Sequence, residues 1–547
     1  MQKEQELEDT GSDNEIQDEA LSELQEDLHI REQRRKMFPR AALVGLFAGL
    51  LGSLFRIMLA EVDIFRNTMI AWSHQYPIFG WIFPTSFSIA AALVSVLMVR
   101  NFAPETSGSG IPHLKAVLHR LRTLDWRRVL PIKFIAGVTA IGGGLPLGRE
   151  GPTVQMGGAV GDVVAKWLKV MPRERRTLIA AGAGAGLAAA FNAPLSGVIF
   201  VLEEVQRDFH PFVFGAAFIA AAIADIVARV LAGAFPVFSV PDYPTPPIAS
   251  LWIFAVMGIF AGILGVAFNR SLLGALNLFA RVGGKWNLTL VAAVGAVIGI
   301  AGWFSPESIG GGHDLAEIAL AGKFVLLAIP AFFLFRFAMT VFSYSTGTAG
   351  GIFAPLLALG ALLGLLVGQI ANRFAPDIVP QPAVFAVVGM AAYFAAIVRA
   401  PLTGIVLIVE MTGNYHQMLP LLVACFCAYA VAELLQDNPI YEALLERDLI
   451  RDGAHIKLKE PMVLDLTVEA GSLFDGRELR LLGLPPGCVV IRCSSNGHSF
   501  VPTAATRLES HMKITVVVSP EAEQGLSMLR NGCKERKPGD KSAYLAE

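Results

Sequence analysis

Glu150 stands in the stretch "GREGPTVQMGG" (148–158), and between Phe134 and Gly161 its neighbour Arg149 is the only other charged residue. A carboxylate placed in a membrane-depth apolar run costs roughly 2.5–3.5 kcal/mol on insertion scales and is functional by default. Two chemistries fit it. In one, Glu150 pairs with Arg149 and is structural. In the other, its carboxylate occupies backbone N–H groups meant for an anion and leaves them when protonated. Adjacent side chains on a helix do not face each other, which weakens the pairing.

Two further breaks share the pattern of glycine ahead of proline: "GSGIP" (108–112) and "GGIFAP" (350–355). Each proline suits the first turn of a helix. A helix start presents unpaired N–H groups and about half a positive charge, which suits an anion. Three such starts converging would hold a small anion without a full positive charge, weakly enough to release it. Close helix packing is the other use of such glycines.

A second acidic site closes the next long apolar run. No charge occurs from Thr177 to Leu202, and then come Glu203, Glu204 and Arg207. The pair is either a solvated helix end or a relay acid on the inner side of a proton path.

The elements that must position these groups belong to a membrane. The chain has 547 residues, 54% hydrophobic and 16% charged, with mean hydropathy +0.54. A soluble chain carries about 25% charge. Apolar segments recur near 41–60, 82–99, 134–170, 178–202, 211–235, 251–275, 288–304, 324–348, 353–372, 380–398, 402–413 and 418–435. Several are too short to span a core of approximately 30 Å. Broken backbone at that depth is tolerated only where protein buries it or it lines a cavity.

The segments repeat. "FNAPLSGVIFVLEE" (191–204) matches "VRAPLTGIVLIVEM" (398–411), with Pro194, Gly197 and Glu203 against Pro401, Gly404 and Glu410. "GPTVQMGGAVG" (151–161) matches "APLLALGALLG" (354–364), with Pro152, Gly157 and Gly161 against Pro355, Gly360 and Gly364. Paired halves with interrupted helices at matching places mark transporters with a midplane site. The halves run about 41–235 and 251–435.

The flanks are polar. Residues 1–36 are an acidic tail ending in a basic stretch, either disordered or a short surface helix, and they carry no signal-peptide pattern. Arg31, Arg34, Arg35, Lys36 and Arg40, and the loop from Lys115 to Lys133 with Arg120, Arg122, Arg127 and Arg128, should face the cytoplasm. After Arg451 the composition turns soluble α+β. We expect a strand near 461–468, a helix near 475–483, a hairpin from Cys488 to Val501 turning at Asn496-Gly497, a strand at 513–518, a helix at 520–530 and a polar tail at 533–547. Cys425, Cys427, Cys488, Cys493 and Cys533 form no CxxC pair, so neither metal nor disulfide is indicated, and no cofactor is expected.

"GSGIP", "GREGP", "GGIFAP" and "FNAPLSGVIFVLEE", in this order and closed by "NPIYEALLERDL" (438–449), resemble the signatures of the CLC family of chloride channels and chloride/proton antiporters. The bacterial exchangers are the branch most similar. The resemblance spans 37–450. It implies an all-α polytopic fold of two inverted-topology repeats with broken helices. It also implies a chloride site made by the hydroxyls of Ser109 and Tyr441, the N–H groups of Ile352 and Phe353, and the backbone around Gly108, Arg149, Gly151 and Ala354. Glu150 matches the external gating glutamate, and Glu204, beside Glu203, the internal proton glutamate. Lys133 matches a buried lysine near the anion path. Ala349 departs from the family's usual proline, so a small loop change is expected one turn from the site. Residues 451–532 resemble the C-terminal module of potassium-conductance regulators (the RCK or TrkA-C type), which often dimerises. Here it is either a passive stabilising domain or the seat of a small ligand.

The expected function is exchange of chloride for protons by a non-enzymatic, homodimeric secondary transporter in a bacterial inner membrane, with both termini cytoplasmic and no nucleic-acid partner. A passive chloride channel on the same fold is the alternative. An intramembrane serine protease using Ser107 or Ser109 with His113 is disfavoured, because no Gly-x-Ser-Gly pattern surrounds either serine.

Overall fold

A computed structural model describes the protein over residues 2–547, apart from 208, 234–236, 239, 242, 284, 452–461, 496–497, 520–521, 523–524, 526–527, 530–531 and 535–547, with the backbone alone for 2–34 and 285–286. The chain divides into two compact units, residues 1–118 with 124–445 and residues 119–123 with 446–547.

The first unit is helical: α1 (Gln2–Ser73), α2 (Ile82–Phe102), α3 (Ile111–Leu118), α4 (Trp126–Gly142), α5 (Glu150–Trp167), α6 (Pro172–Phe191), α7 (Pro194–Phe200), α8 (Pro211–Ala232), α9 (Leu251–Arg281), α10 (Lys285–Phe304), α11 (His313–Leu320), α12 (Ile329–Ser345), α13 (Phe353–Phe374), α14 (Ala383–Val398), α15 (Pro401–Thr412), α16 (Met418–Leu434) and α17 (Ile440–Arg451). Among the described residues, seven helices are long and apolar enough to cross a membrane. Most of the rest are shorter, as the Gly and Pro breaks require, while α5 and α6, of 18 and 20 residues, fall outside that set by composition. The single apolar segment at 134–170 is in fact α4 and α5, parted by the glycine-rich turn before Arg149. The segment at 178–202 is divided where Asn192 takes a left-handed conformation, φ 52°. The acidic tail is the start of α1 rather than a short separate helix.

The two halves correspond in detail. The N-terminus of α15 is capped by Glu203, whose carboxylate accepts from the amides of Leu402 (3.1 Å) and Thr403 (2.7 Å). Its repeat mate Glu410 caps α7 in the same way, accepting from Leu195 (3.0 Å) and Ser196 (2.8 Å). Such reciprocity is what a two-fold relation between halves produces. The glycines of the repeat pack backbones together. A Cβ on Gly157 of α5 would strike the Gly182 carbonyl of α6, and one on its counterpart Gly360 of α13 would strike the Gly389 carbonyl of α14. So the glycines serve packing as well as the helix starts.

The second unit carries one antiparallel sheet of β1 (Met462–Thr467), β2 (Cys488–Ser495), β3 (His498–Phe500) and β4 (Lys513–Val518), in the order β1-β4-β2-β3. Leu464, Cys493, Ile514, Val516 and Val518 fill its core. The helix expected at 475–483 does not form. Only a 3-10 turn at Leu479–Leu481 is present. Gly476 and Gly483 adopt positive φ, and the amides of Gly476, Leu479 and Arg480 bond to the carbonyls of Leu508, Thr506 and Ala504 instead of to their own turn. The Asn496-Gly497 turn, and much of the helix expected at 520–530, lie outside the described residues.

Candidate functional site

The three glycine-rich breaks meet. Gly108 and Thr348 are joined by a bond of 2.9 Å from the Gly108 amide, and the Gly350 amide returns 2.9 Å to the Gly108 carbonyl. Gly148 and Gly351 exchange both bonds, at 2.7 and 2.8 Å. These ladders bring the starts of α3, α5 and α13 to one place. Gly108 and Gly110 hold φ of 60° and 79°, which explains a Gly-x-Gly loop there. The bonds around Ala349 use the Thr348 carbonyl and the Gly350 amide, so the residue at 349 leaves this ladder intact.

Glu150 opens α5 and is 1% exposed. Its Oε2 accepts from the amide of Ala354, on the first turn of α13, at 3.3 Å. A carboxylate of one half therefore sits at the positive helix end of the other. The Arg149 Nε lies 3.9 Å from Oε1, so the neighbouring cation does reach Glu150 after all. Arg149 is the N-cap residue of α5, one position ahead of Glu150.

Ser109 is fully buried. Its Oγ accepts from the Ile111 amide at 3.3 Å, and its own amide donates to the Tyr344 hydroxyl at 3.4 Å. Tyr441, on α17, is also fully buried, and its hydroxyl has no partner among the described residues. It lies within electrostatic reach of Tyr344, Glu204 and Glu150. Ile352 and Phe353 are buried, and the Phe353 ring packs on Phe394 with centroids 4.4 Å apart. Gly151 touches the Ser109 backbone so closely that a Cβ would sit 2.9 Å from the Ser109 Cα. Lys133 is buried too, with Nζ 2.8 Å from the Thr106 carbonyl and 2.6 Å from that of Gly108. It tethers the loop that carries Ser109.

The acidic pair separates. Glu203 is the α15 cap described above, with Thr403 Oγ1 donating at 2.7 Å as well. Glu204 turns the other way, from a π-turn at Val201–Val205. Such turns are rare and frequent at functional sites. Its side chain is fully buried and pairs with Lys115 Nζ at 2.7 Å. Lys115 and Lys133 are therefore no part of a surface basic loop. Both point inward from helices, and only Arg120, Arg122, Arg127 and Arg128 of that set reach the surface or its edge.

Sequence reasoning missed Tyr344, Lys115 and Glu442 as members of the site. Lys115 is the one lysine in "IPHLKAVL", apolar but for His113, and Glu442 directly follows Tyr441. Both signals were visible, but not their partners.

The sequence profile described as "Voltage gated chloride channel" matches residues 90–433, and that of the TrkA-C domain matches 463–529. The chain is 42% identical over 421 residues to the H(+)/Cl(−) exchange transporter ClcA of Cronobacter sakazakii, covering 76% of this chain and 90% of that one. The crystal structure of a slow cyanobacterial Cl−/H+ antiporter superposes with a TM-score of 0.74 at 36% identity, over 76% of this chain and 99% of that one. A CLC-type fluoride/proton antiporter shares the fold, with a TM-score of 0.63 at 20% identity over 73% of this chain and 96% of that one.

Proposed function

The chain belongs to the voltage-gated chloride channel, or CLC, family, and from that premise we propose that it is a secondary transporter exchanging chloride for protons across a bilayer. It is a multi-pass membrane protein, not an enzyme. The observation that carries the reading is the Glu150 carboxylate at the Ala354 amide. A side chain that occupies an anion-binding helix start competes with the transported anion and withdraws when a proton removes its charge.

Chloride then takes up the N–H groups of Ile352 and Phe353 and the hydroxyls of Ser109 and Tyr441, bordered by Gly108. At the outer position the amides of Arg149, Gly151 and Ala354 serve either chloride or Glu150. Lys133, bound to two loop carbonyls, supplies positive potential without touching the ion. Glu204 is the inner proton acid, and Glu203 acts through structure alone. The protein works as a homodimer with one pathway per subunit in a bacterial inner membrane, its termini cytoplasmic by the basic residues at the head of α1.

Purified protein with Glu204→Gln, reconstituted in liposomes, tests the assignment. Chloride flux should persist while proton coupling is lost. Coupling equal to that of the unaltered protein would remove Glu204 from the proton path. Chloride flux without linked proton movement in the unaltered protein would identify a passive channel.

A further inference from the structure

Glu204 is the centre of a set of charges whose other members, Lys115, Glu442 and Arg207, the exchange scheme above leaves unused. Lys115 Nζ lies 2.7 Å from its Oε1. The same ammonium lies 3.9 Å from Oε1 of Glu442. Arg207 approaches Glu204 Oε2 at 3.9 Å and forms a close ion pair with Glu442. Two cations and two carboxylates thus form a neutral ring. Its exposure is graded: the side chains of Glu204 and Lys115 are 0% and 3% exposed, those of Glu442 and Arg207 37% and 46%.

The ring joins elements that matter for the anion. Lys115 belongs to α3, which begins two residues after Ser109. Glu442 belongs to α17 and follows Tyr441. The elements carrying the two chloride hydroxyls are therefore linked through one lysine, and that lysine is shared with the proton acid.

We propose that Lys115 is a positioning residue that moves between two carboxylates. With Glu204 charged, it stays on Glu204, as seen here. A proton taken from the inner solution onto Glu204 cancels that charge, and Lys115 shifts to Glu442. The shift draws α3 against α17 and narrows the inner side of the anion site between Ser109 and Tyr441. Chloride cannot then leave inward while Glu204 carries its proton, which is the mutual exclusion that antiport needs. The inference rests on Glu204 being the proton acid.

Among the described residues, α6 and α7 bring no competing charge to Glu204. The part of α6 that reaches the π-turn, at Gly184 against Val201, lies in its uncharged stretch, and α7 has no charged residue. On α8, Asp225 is held by Arg229 at 2.7 Å. The Tyr441 phenol is in electrostatic reach as well; α3 also carries His113, whose Nδ1 lies 3.3 Å from Gln155 Nε2, and His210 stands at the head of α8.

Glu442→Gln and Lys115→Gln, each in liposomes, test the proposal, with chloride and proton flux recorded at neutral and acidic inner pH. Acidic inner pH should slow chloride flux in the unaltered protein, and both variants should lose that slowing. Their proton-to-chloride ratio should fall by at least about twofold, because each variant removes a charge that the shift of Lys115 requires, and even a partly exposed pair is worth about that factor. Glu442→Asp should restore much of both properties. An unchanged ratio and an unchanged inner-pH profile in Glu442→Gln would overturn the proposal, even if Lys115→Gln fails to fold. Glu204→Gln in the same vesicles separates the two levels. If it keeps coupling, the proton-acid reading fails. If it loses coupling while the ring variants behave as the unaltered protein, only the ring fails.

Discussion

Oε2 of Glu150 lies 3.3 Å from the backbone amide of Ala354, so the carboxylate of one repeat occupies the helix start of the other. The matching position of the second repeat, "GGIFAP", has no acid. Only one of two related helix starts therefore carries a carboxylate of its own, the asymmetry on which the proposed gate rests. Glu150→Gln removes the competitor's charge. Chloride flux in liposomes should become independent of outer pH and lose proton coupling; a retained pH profile would contradict the gate.

In the proposed site the hydroxyls of Ser109 and Tyr441 would meet the ion from two elements. Tyr441→Phe deletes a buried hydroxyl that has no hydrogen-bond partner among the described residues, so folding should survive. Chloride affinity by calorimetry should fall by about tenfold, the worth of one hydrogen bond to a charged group. Unchanged affinity would take Tyr441 out of the site.

The reciprocal caps predict stability rather than coupling. Glu203→Ala leaves the Leu402 and Thr403 amides without their acceptor, and the loss should be about 1–2 kcal/mol, as for helix caps generally. Glu410→Ala should behave alike, because it does the same task in the other repeat. Thermal unfolding of both variants in detergent reads this out. A Glu203→Gln protein that transports chloride with no linked protons would return Glu203 to the proton path.

Close backbone contact predicts an asymmetry among glycines. At Gly364 an added Cβ would fall on the Phe385 carbonyl, whereas at Gly274 nothing lies within 4 Å. Gly364→Val should therefore yield little monodisperse protein by size exclusion, and Gly274→Ala should purify as the unaltered chain does.

Much of this was legible in the chain itself. Pro152 with Pro355, and Glu203 with Glu410, announced two related halves, because broken helices need Gly and Pro at fixed places. Glu150 was legible because an acid in an apolar run has few uses. What stayed hidden depended on distance along the chain. Lys115 looked like part of a basic loop because Arg120 and Arg122 follow it, while its partner Glu204 lies 89 residues away. The split of Glu203 from Glu204 was hidden as well, since adjacent acids read alike until a π-turn sends them to opposite sides. In the C-terminal unit, the apolar "LRLLGL" suggested a helix, but Gly476 and Gly483 at positive φ gave its amides to a neighbouring segment.

All site residues lie in the first compact unit. A chain ending at Arg451 should therefore keep the proton-to-chloride ratio of the full chain. A changed ratio would place the TrkA-C domain in the coupling mechanism itself.

The most direct test of the account is proton movement driven by chloride alone. In liposomes holding the full chain, with equal pH on both sides and an imposed chloride gradient, outward chloride flow should carry protons inward against their developing gradient, as read by a pH electrode outside. Chloride flow with the outer pH unmoved would contradict exchange.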